Sequence, residues 1–376
     1  MKYVDEYRNA ARAQALAAAI RAQTVPDVTY AFMEFCGGHT HAISRYGIED
    51  LLPPGIRLIH GPGCPVCVLP VGRIDAAIAL ARDPRVTLCT YADLMRVPAS
   101  RGNSLQRAKA EGADIRMVYS TLDALRIAAA EPGREVVFFA IGFETTTPPT
   151  AVAVQHAARD GLGNFSVFCN HVLTPVAMRA ILATGGADAV RLDGFVGPAH
   201  VSTVIGTEPY RQVAADYRKP VVVAGFEPLD VMQAILFLVR QVNDGRVEVE
   251  NQYIRAVTPA GNLRAQAAVA EVFELRDRFE WRGLGWVPHS ALKLRAAFSR
   301  FDAEARFGLE TPLASDNPAC ECGAILRGTK RPAECRLFGT ACTPETPMGS
   351  CMVSAEGACA AHWTYGRFRL PARLAS

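Results

Sequence analysis

Short apolar runs alternate with stretches of helical spacing along most of the chain. Each run between about residues 28 and 274 is followed by a turn rich in Gly, Pro and small residues, and then by a longer amphipathic stretch. Runs that are apolar throughout are typical of strands covered on both faces of a parallel sheet. The pattern therefore predicts an α/β fold with mainly parallel sheets. The predicted strands are 29–34, 57–59, 86–90, 116–118, 136–141, 164–169, 194–196 and 220–223.

Helical periodicity is clearest in two places. Ile74, Ile78 and Ala81 recur at near-helical spacing, and a second apolar stripe begins at Val231 and continues through 238. The Ala-rich start over 1–21 carries charged residues throughout, which predicts an N-terminal helix rather than a secretory leader. No apolar stretch approaches the ~20 residues of a membrane-spanning helix. We therefore expect a cytoplasmic protein with no membrane contact.

The texture of the chain changes near residue 280, where Gly, Pro and Trp lead through a predicted charged helix over 290–307 into a Cys-rich tail. We predict four parts: an N-terminal helix over 1–27, one α/β lobe over 28–130, a second α/β lobe over 131–275 and a smaller C-terminal domain over 276–376. A strand runs into Gly-Phe-Glu at both 142–144 and 225–227. This echo fits two similar lobes that face one another, and it fits coincidence equally well.

Composition excludes several classes of protein. The chain has 376 residues, of which 50% are hydrophobic, so it is globular rather than disordered. Its 40 basic and 37 acidic residues give a net charge of +3, and the basic residues are scattered without runs, so nothing indicates a nucleic-acid partner. The eleven cysteines are an odd number in a chain without a leader, which argues against a structural disulfide framework.

The first motif that carries chemistry is CGGHTH at 36–41, directly after a predicted strand. A thiol at the carboxyl end of a strand lies where α/β sheets bind their ligands. Gly37 and Gly38 allow backbone amides to approach an anion, and His39 lowers the thiol pKa or joins Cys36 as a metal ligand in this interpretation. The alternative is a buried apolar cysteine with a glycine turn and two surface histidines.

The second motif is GPGCPVC at 61–67, again after a strand. The CxxC spacing permits a redox disulfide between Cys64 and Cys67 or a shared metal. We favour dithiol chemistry over zinc, because no second CxxC or Cys/His pair at matching spacing lies nearby, and inert cysteines are the third possibility. We expect the following helix to begin only past Pro70, so the sequence does not establish activation of Cys64 by a helix N-terminus.

The third motif is the tail, in which six cysteines fall between 320 and 359. Four thiolates hold either a 4Fe-4S cluster or a tetrahedral zinc, and irregular long spacings without paired CxxC knuckles favour the cluster. Further polar residues follow predicted strands and are candidates for lining a crevice, with Glu144 and His171 ranked first. The others are Thr145–Thr147, Asn170, His200, Asp93 and Glu227.

Together these motifs resemble the HypD family of hydrogenase maturation proteins. The stretches that carry the resemblance are CGGHTH at 36–41, GPGCPVC at 61–67, GFETT at 142–146 and PAECRLFGTACTPETPMGSCMVSAEGAC at 332–359. They occur in the order of the family, and the resemblance covers essentially the whole chain. It implies two α/β lobes facing a cleft, and a third, smaller Cys-rich part that carries a 4Fe-4S cluster.

The resemblance also implies partners and a product. Such proteins bind the small chaperone HypC, and the pair holds an iron carrying two cyanides and one carbon monoxide. HypE supplies the cyanides, and the Fe(CN)2CO group is destined for the large subunit of nickel-iron hydrogenase. Cys36 is then the iron ligand with His39 beside it, and Cys64 and Cys67 are the redox pair.

By the same resemblance Cys320, Cys335, Cys342 and Cys359 are the cluster ligands. Cys322 in place of Cys320, and Cys351 in place of Cys359, stay open as alternatives. Glu144, in the GFETT stretch, is included among the catalytic candidates. We further hypothesise that the amides of Gly37 and Gly38, or His39, meet the negative charge of the cyanides.

Two rival functions remain. One is an iron-sulfur disulfide reductase resembling ferredoxin-thioredoxin reductase, which would use the same cluster and CxxC pair on a protein substrate. The other is a binding module whose tail holds structural zinc. Neither rival needs the CGGHTH motif.

Overall fold

The computed structural model describes residues 4–185 and 189–367, and its fold is α/β with mainly parallel sheets, as predicted. The ends of the predicted segments at 1–3 and 368–376 lie outside the described residues. The strands are β1 (Tyr30–Glu34), β2 (Ile56–His60), β3 (Val86–Thr90), β4 (Ile115–Met117), β5 (Glu135–Gly142), β6 (Phe165–His171), β7 (Gly194–Pro198), β8 (Val221–Ala224), β9 (Val249–Asn251), β10 (Phe273–Leu275), β11 (Arg278–Trp281), β12 (Gly285–Pro288) and β13 (Leu292–Leu294).

Helices connect most of these strands. They are α1 (Ala10–Gln23), α2 (Gly37–Tyr46), α3 (Ile48–Leu51), α4 (Pro65–Val68), α5 (Val71–Ala81), α6 (Leu105–Ala110), α7 (Thr121–Ala130), α8 (Thr147–Arg159), α9 (Thr174–Ala183), α10 (Ala199–Ile205), α11 (Glu208–Tyr217), α12 (Pro228–Asn243), α13 (Leu263–Val272), α14 (Ala303–Phe307), α15 (Cys322–Leu326) and α16 (Ala358–Tyr365). Short 3-10 helices cover 5–7, 92–96, 100–102, 296–301, 332–334 and 350–352. The two periodic stretches predicted as helices form parts of α5 and α12.

Two parallel sheets organise the molecule. The first has the strand order β2-β1-β7-β8-β9, and the second has the order β4-β3-β5-β6. The chain begins the first sheet with β1 and β2, builds the whole second sheet, and then returns to place β7 on the free side of β1. In both sheets the strand order therefore reverses beside the strand that the chain lays down first.

Sheet membership differs from the predicted lobes. The segment 28–130 contributes β1 and β2 to the first sheet and β3 and β4 to the second, and 131–275 is divided in the same way. The two Gly-Phe-Glu runs consequently follow strands of different sheets. The predicted domain boundaries themselves stay a prediction.

Burial explains why these segments are strands. Every residue of β1, β3, β6, β7 and β8 is buried, as expected for strands covered on both faces by helices. Phe138 and Phe139 of β5 point to opposite faces, and both are fully buried. These cores fix the carboxyl ends of the strands, from which the motif loops emerge.

The C-terminal part is irregular. β10 pairs antiparallel with β13, and β11 pairs antiparallel with β12. The predicted charged helix over 290–307 is wrong, because this segment forms β13, a 3-10 helix and the short α14. Its polar residues are therefore distributed over three short elements and do not line one face of a helix. No helix in the described part of the chain is long and apolar enough to cross a membrane.

Candidate metal centre

Cys36 lies at the reversal point of the first sheet. It follows β1, and His200 follows the neighbouring strand β7, so the two side chains meet outside the carboxyl ends of adjacent strands. The Cys36 Sγ is 3.5 Å from Nδ1 and 3.8 Å from Nε2 of His200. His200 was only one of several candidates from the sequence, and the fold makes it the imidazole in contact with the thiol.

Cys36 caps α2, and its sulfur accepts a hydrogen bond from the Gly38 amide at 3.3 Å. Burial, followed by the charge of Glu356, raises the thiol pKa well above its ordinary value. The backbone amides of Gly38 and His39 act to lower this pKa, but burial outweighs them, and a role of the His39 ring beside the thiol stays a prediction. The Gly37 amide donates to Gly63 O at 3.2 Å, so both glycine amides have acceptors in this structure, and their contact with cyanide stays a prediction.

His39 is fully buried in α2, three residues after Cys36. Its Nε2 lies 3.1 Å from the carbonyl oxygen of Ala224 and 3.0 Å from that of Gly225, at the end of β8. Its Nδ1 is buried without a hydrogen-bond partner among the described residues. Phe226 packs against the rings of both His39 and His200, with centroids 4.7 and 5.1 Å away.

Carboxylates surround the Cys36 loop. Glu34, which is 1% exposed, accepts hydrogen bonds from the Cys36 amide at 2.9 Å, from Thr40 Oγ1 and from His60 Nδ1 at 2.8 Å. Burial opposes protonation of His60, but the hydrogen bond and charge of Glu34 outweigh it and raise the His60 pKa. Glu356 packs against the same loop, since a Cβ on Gly37 would lie 2.3 Å from its Cβ. Sequence reasoning missed Glu34, His60 and Glu356, and only the position of Glu356 in the tail motif could have indicated it.

The CxxC pair lies next to this loop. A Cβ on Gly63 would lie 2.3 Å from the Cys36 nitrogen, so the two motif loops are in direct backbone contact. Cys64 and Cys67 form a disulfide. The expectation that no helix begins here is wrong, because Cys64 caps the short α4 through its sulfur, and α5 begins only after Pro70. Proline at the first position of α4 needs no amide hydrogen bond, which permits this early start.

Four of the tail cysteines share one cavity. Cys320, Cys335, Cys342 and Cys359 are free thiols, and they line it together with Ile325, Leu337, Phe338 and Met352. Burial raises the pKa of Cys320 to about 11 and that of Cys359 further, and the neighbouring thiols add to both increases. Within the described ranges no three Cys, His, Asp or Glu side chains converge as ligands of a single ion do. By donor type, four thiols in an apolar enclosure fit an iron-sulfur cluster or zinc.

The two remaining tail cysteines pair with each other. Cys322 and Cys351 form a second disulfide at the wall of the same cavity. Ser350 lies between the disulfides: its Oγ donates to Cys67 O at 3.0 Å and is 3.6 Å from Cys322 Sγ. The Cys64–Cys67 disulfide is the pairing that the CxxC spacing permitted. The Cys322–Cys351 disulfide was not anticipated, because a pairing across 29 residues leaves no local signal.

The cysteine cavity and the Cys36 loop are linked by one helix. α16, which begins beside Cys359, packs on α2, and His41 Nε2 shares a 2.8 Å hydrogen bond with the Tyr365 hydroxyl. The tail is therefore part of the same centre as CGGHTH.

Glu144 and His171 belong to the second sheet. Glu144 accepts hydrogen bonds from the amide and hydroxyl of Thr174 at the start of α9, and it lines a mainly apolar cavity with Ile205 and Leu275. His171 is hydrogen-bonded to Thr150, and burial lowers its pKa to about 4. These contacts hold the fold together, and a catalytic role for Glu144 stays a prediction.

Known proteins are similar to this chain over all the residues of the candidate centre. The family model described as HypD, "Hydrogenase formation hypA family", matches residues 11–366. The chain is 71% identical over 372 residues to hydrogenase maturation factor HypD of Rhizobium leguminosarum bv. viciae, which covers 98% of this chain and 97% of the relative. It is 65% identical over 372 residues to that of Cupriavidus necator, covering 98% of each, and 47% identical over 371 residues to that of Escherichia coli (strain K12), covering 97% and 98%.

Proposed function

Because the chain belongs to the HypD family of hydrogenase maturation factors, we propose that it holds iron on Cys36 while the Fe(CN)2CO group of nickel-iron hydrogenase is assembled. A HypC-type chaperone shares the iron, a HypE-type protein donates the cyanides, and the hydrogenase large subunit receives the product. The proposal includes a cytoplasmic location, where these steps take place. The observation that carries it is the position of Cys36 beside the His200 imidazole at the reversal point of the first sheet.

The surroundings of Cys36 suit a ferrous cation as substrate. A thiolate is a soft ligand for iron, and the metal displaces the proton of a neutral thiol when it binds. The carboxylates of Glu34 and Glu356 favour a cation at this point, since both raise the pKa of the thiol by their charge. The bare Nδ1 of His39 offers a second donor atom. One thiolate and one imidazole leave positions open for cyanide, carbon monoxide and the partner.

The disulfide Cys64–Cys67 is the proposed redox pair. Its reduction breaks the S–S bond, takes up two electrons and two protons, and yields two thiols next to the Cys36 loop. The reductant is a low-potential electron-carrier protein. Ser350 connects the backbone of Cys67 with the second disulfide and holds the two pairs adjacent.

We propose Cys320, Cys335, Cys342 and Cys359 as the ligands of a 4Fe-4S cluster. Support comes from their common cavity, its apolar wall and the disulfide that engages Cys322 and Cys351 with each other. When bound, such a cluster supplies one-electron transfer.

The test is an anaerobic purification of the chain together with its small chaperone. Cys36→Ala is expected to abolish the cyanide and carbon monoxide bands in the infrared spectrum and to leave the visible absorption of the cluster unchanged. Cys89→Ala is the matched control, because Cys89 is a buried free thiol in the second sheet, and this variant is expected to keep both signals. Bands that survive in Cys36→Ala contradict the proposal.

The two adjacent disulfides also favour a second candidate, a disulfide reductase resembling ferredoxin-thioredoxin reductase. It predicts turnover of a protein disulfide by the reduced chain without any iron-cyanide species. The same preparation distinguishes the two functions, since infrared bands together with a lack of turnover exclude the reductase.

A further inference from the structure

His39 is held in one tautomer by the loop after β8. Carbonyl oxygens only accept hydrogen bonds, so an Nε2 atom 3.1 and 3.0 Å from the carbonyls of Ala224 and Gly225 must carry the proton. Nδ1 then carries a lone pair, and no described residue donates to it. Burial lowers the pKa of His39. The identity of the bare nitrogen thus depends on where the carbonyls of Ala224 and Gly225 point, and Gly225 is the one that lies beyond the end of β8.

A side chain far along the sequence fixes Gly225. The backbone amide of Gly225 donates to the side-chain Oε1 of Gln252 at 3.3 Å. The backbone amide of Gln252 donates to Val223 O at 2.8 Å. A Cβ on Gly225 would lie 2.2 Å from Oδ2 of Asp230 and 2.5 Å from the Tyr253 ring. The loop is therefore pressed against the residues that orient it, and only glycine fits.

The orientation of the Gln252 side chain is itself determined. Its Nε2 donates to Oδ1 of Asp230 at 2.8 Å, and Arg255 donates to both oxygens of that carboxylate at 2.9 and 2.5 Å. An ionised carboxylate cannot donate, so the NH2 group of Gln252 must face Asp230 and its oxygen must face Gly225. Asp230 is 0% exposed and Gln252 is 8% exposed, so water does not replace these contacts easily.

We propose that Gln252 is a positioning residue of the metal centre. Through Gly225 it fixes His39 as the Nε2–H tautomer and so presents Nδ1 to the iron held by Cys36. The hydrogen bond on one ring nitrogen decides which nitrogen binds a metal, and loss of such an outer partner lowers metal affinity by roughly 10- to 100-fold. The role toward iron rests on the proposed function, whereas the tautomer is a property of the metal-free chain.

The tautomer is tested first, on the full chain without iron. Histidine labelled with 15N is incorporated, the ring nitrogens are observed by long-range proton–nitrogen correlation, and His39→Gln assigns the signals. We expect one Nε2–H species for His39 in the unsubstituted chain, and a mixture of tautomers or the Nδ1–H form in Gln252→Met. This variant keeps the volume but removes the side-chain hydrogen bonds to Gly225, Asp230 and Gln233. An unchanged His39 pattern in Gln252→Met, or an Nδ1–H form in the unsubstituted chain, overturns the proposal.

Gln241→Leu is the matched control. Gln241, in α12, is also buried and also accepts from a backbone amide, but that amide belongs to Glu248 and not to Gly225. It is expected to keep the His39 pattern. If Gln252→Met does not fold, Gln252→Asn takes its place, since the shorter amide no longer reaches Gly225.

Iron retention then separates this inference from the proposed function. In the complex with the chaperone, a competing chelator is expected to remove iron from Gln252→Met at roughly 10- to 100-fold lower concentration than from the unsubstituted chain. Loss of bands in Cys36→Ala combined with unchanged iron retention in Gln252→Met overturns the positioning role alone. A changed tautomer combined with surviving bands in Cys36→Ala overturns the proposed function alone.

Discussion

A buried carboxyl group makes stability depend on pH in a way that one substitution reveals. Glu144 is 6% exposed, and its two oxygens accept from the amide and the hydroxyl of Thr174 at 2.8 and 2.9 Å. Burial is the main cause that raises its pKa from 4.5 to about 7, and the Thr174 hydrogen bonds offset only part of the effect. Glu144→Gln replaces the group by a neutral one of the same shape.

The magnitude follows from linkage between protonation and folding. Between pH 4.5 and about 7 the folded chain keeps the proton that the unfolded chain has lost, so folding becomes less favourable as pH rises. At ~1.4 kcal/mol per pH unit, this interval corresponds to roughly 3 kcal/mol of unfolding free energy. The penalty is absent below the lower limit and complete above the upper one.

The assay is urea unfolding at a series of pH values from roughly 4.5 to 8, across which the linked proton is lost. The unfolding free energy of Glu144→Gln relative to the unsubstituted chain is expected to rise by up to about 3 kcal/mol over this range. Any change in the Thr174 hydrogen bonds shifts this difference by an amount that does not depend on pH. Glu310→Gln, at an exposed position, is the control and is expected to give a flat difference.

A flat difference for Glu144→Gln refutes the reasoning. It would mean that the carboxylate is stabilised in the folded chain as well as in water. A difference that falls with pH would require an opposite charge at the site, which the contacts of Glu144 do not supply.

Two further predictions concern the metal centre. Gly63→Ala is expected to destabilise the chain by about 1–3 kcal/mol and to change the alkylation rate of Cys36, because the new Cβ meets the Cys36 backbone at 2.3 Å. Thermal unfolding measures the stability, and mass spectrometry measures the alkylation. The control is Gly133→Ala, where a Cβ meets nothing within 4 Å. Cys359→Ser is expected to lose the iron, the sulfide and the visible absorption of the cluster, whereas Cys322→Ser, which breaks only a disulfide, keeps them. The reverse result would contradict the proposed set of cluster ligands.

The strands of the two sheets were predictable because burial leaves a local signal. All eight predicted strands are present, within a few residues of their observed ends. Within the two parallel sheets the missed strand is β9, which reads Val-Glu-Asn and lies half-buried at the edge of the first sheet, so it carries no apolar run. The helix predicted over 290–307 is wrong because helix-forming residues there lie instead in β13, in a 3-10 helix and in the short α14.

Which strands share a sheet was not predictable, because a parallel strand has the same pattern in either sheet. Pairing depends on where the chain leaves the first sheet and where it returns, and each crossover is long enough to reach either one. The pairing of Cys322 with Cys351 was not predictable for a similar reason. The spacing of the tail cysteines restricts ligand sets, but only the fold shows that these two pair with each other and leave four free thiols at the same cavity.

The same argument explains which residues of the candidate metal centre could be predicted from the sequence. CGGHTH is local, so Cys36 and His39 could be named, but the partners that decide their chemistry come from strands that the chain adds much later. His200 arrives with β7, because β7 takes the free side of β1, and the Gly225 carbonyl arrives with β8, the next strand outward. A reversal of strand order beside β1 therefore does two things at once: it opens the crevice at Cys36, and it delivers the groups that line it. The site depends on the return of the chain to the first sheet, and no sequence motif predicts that return.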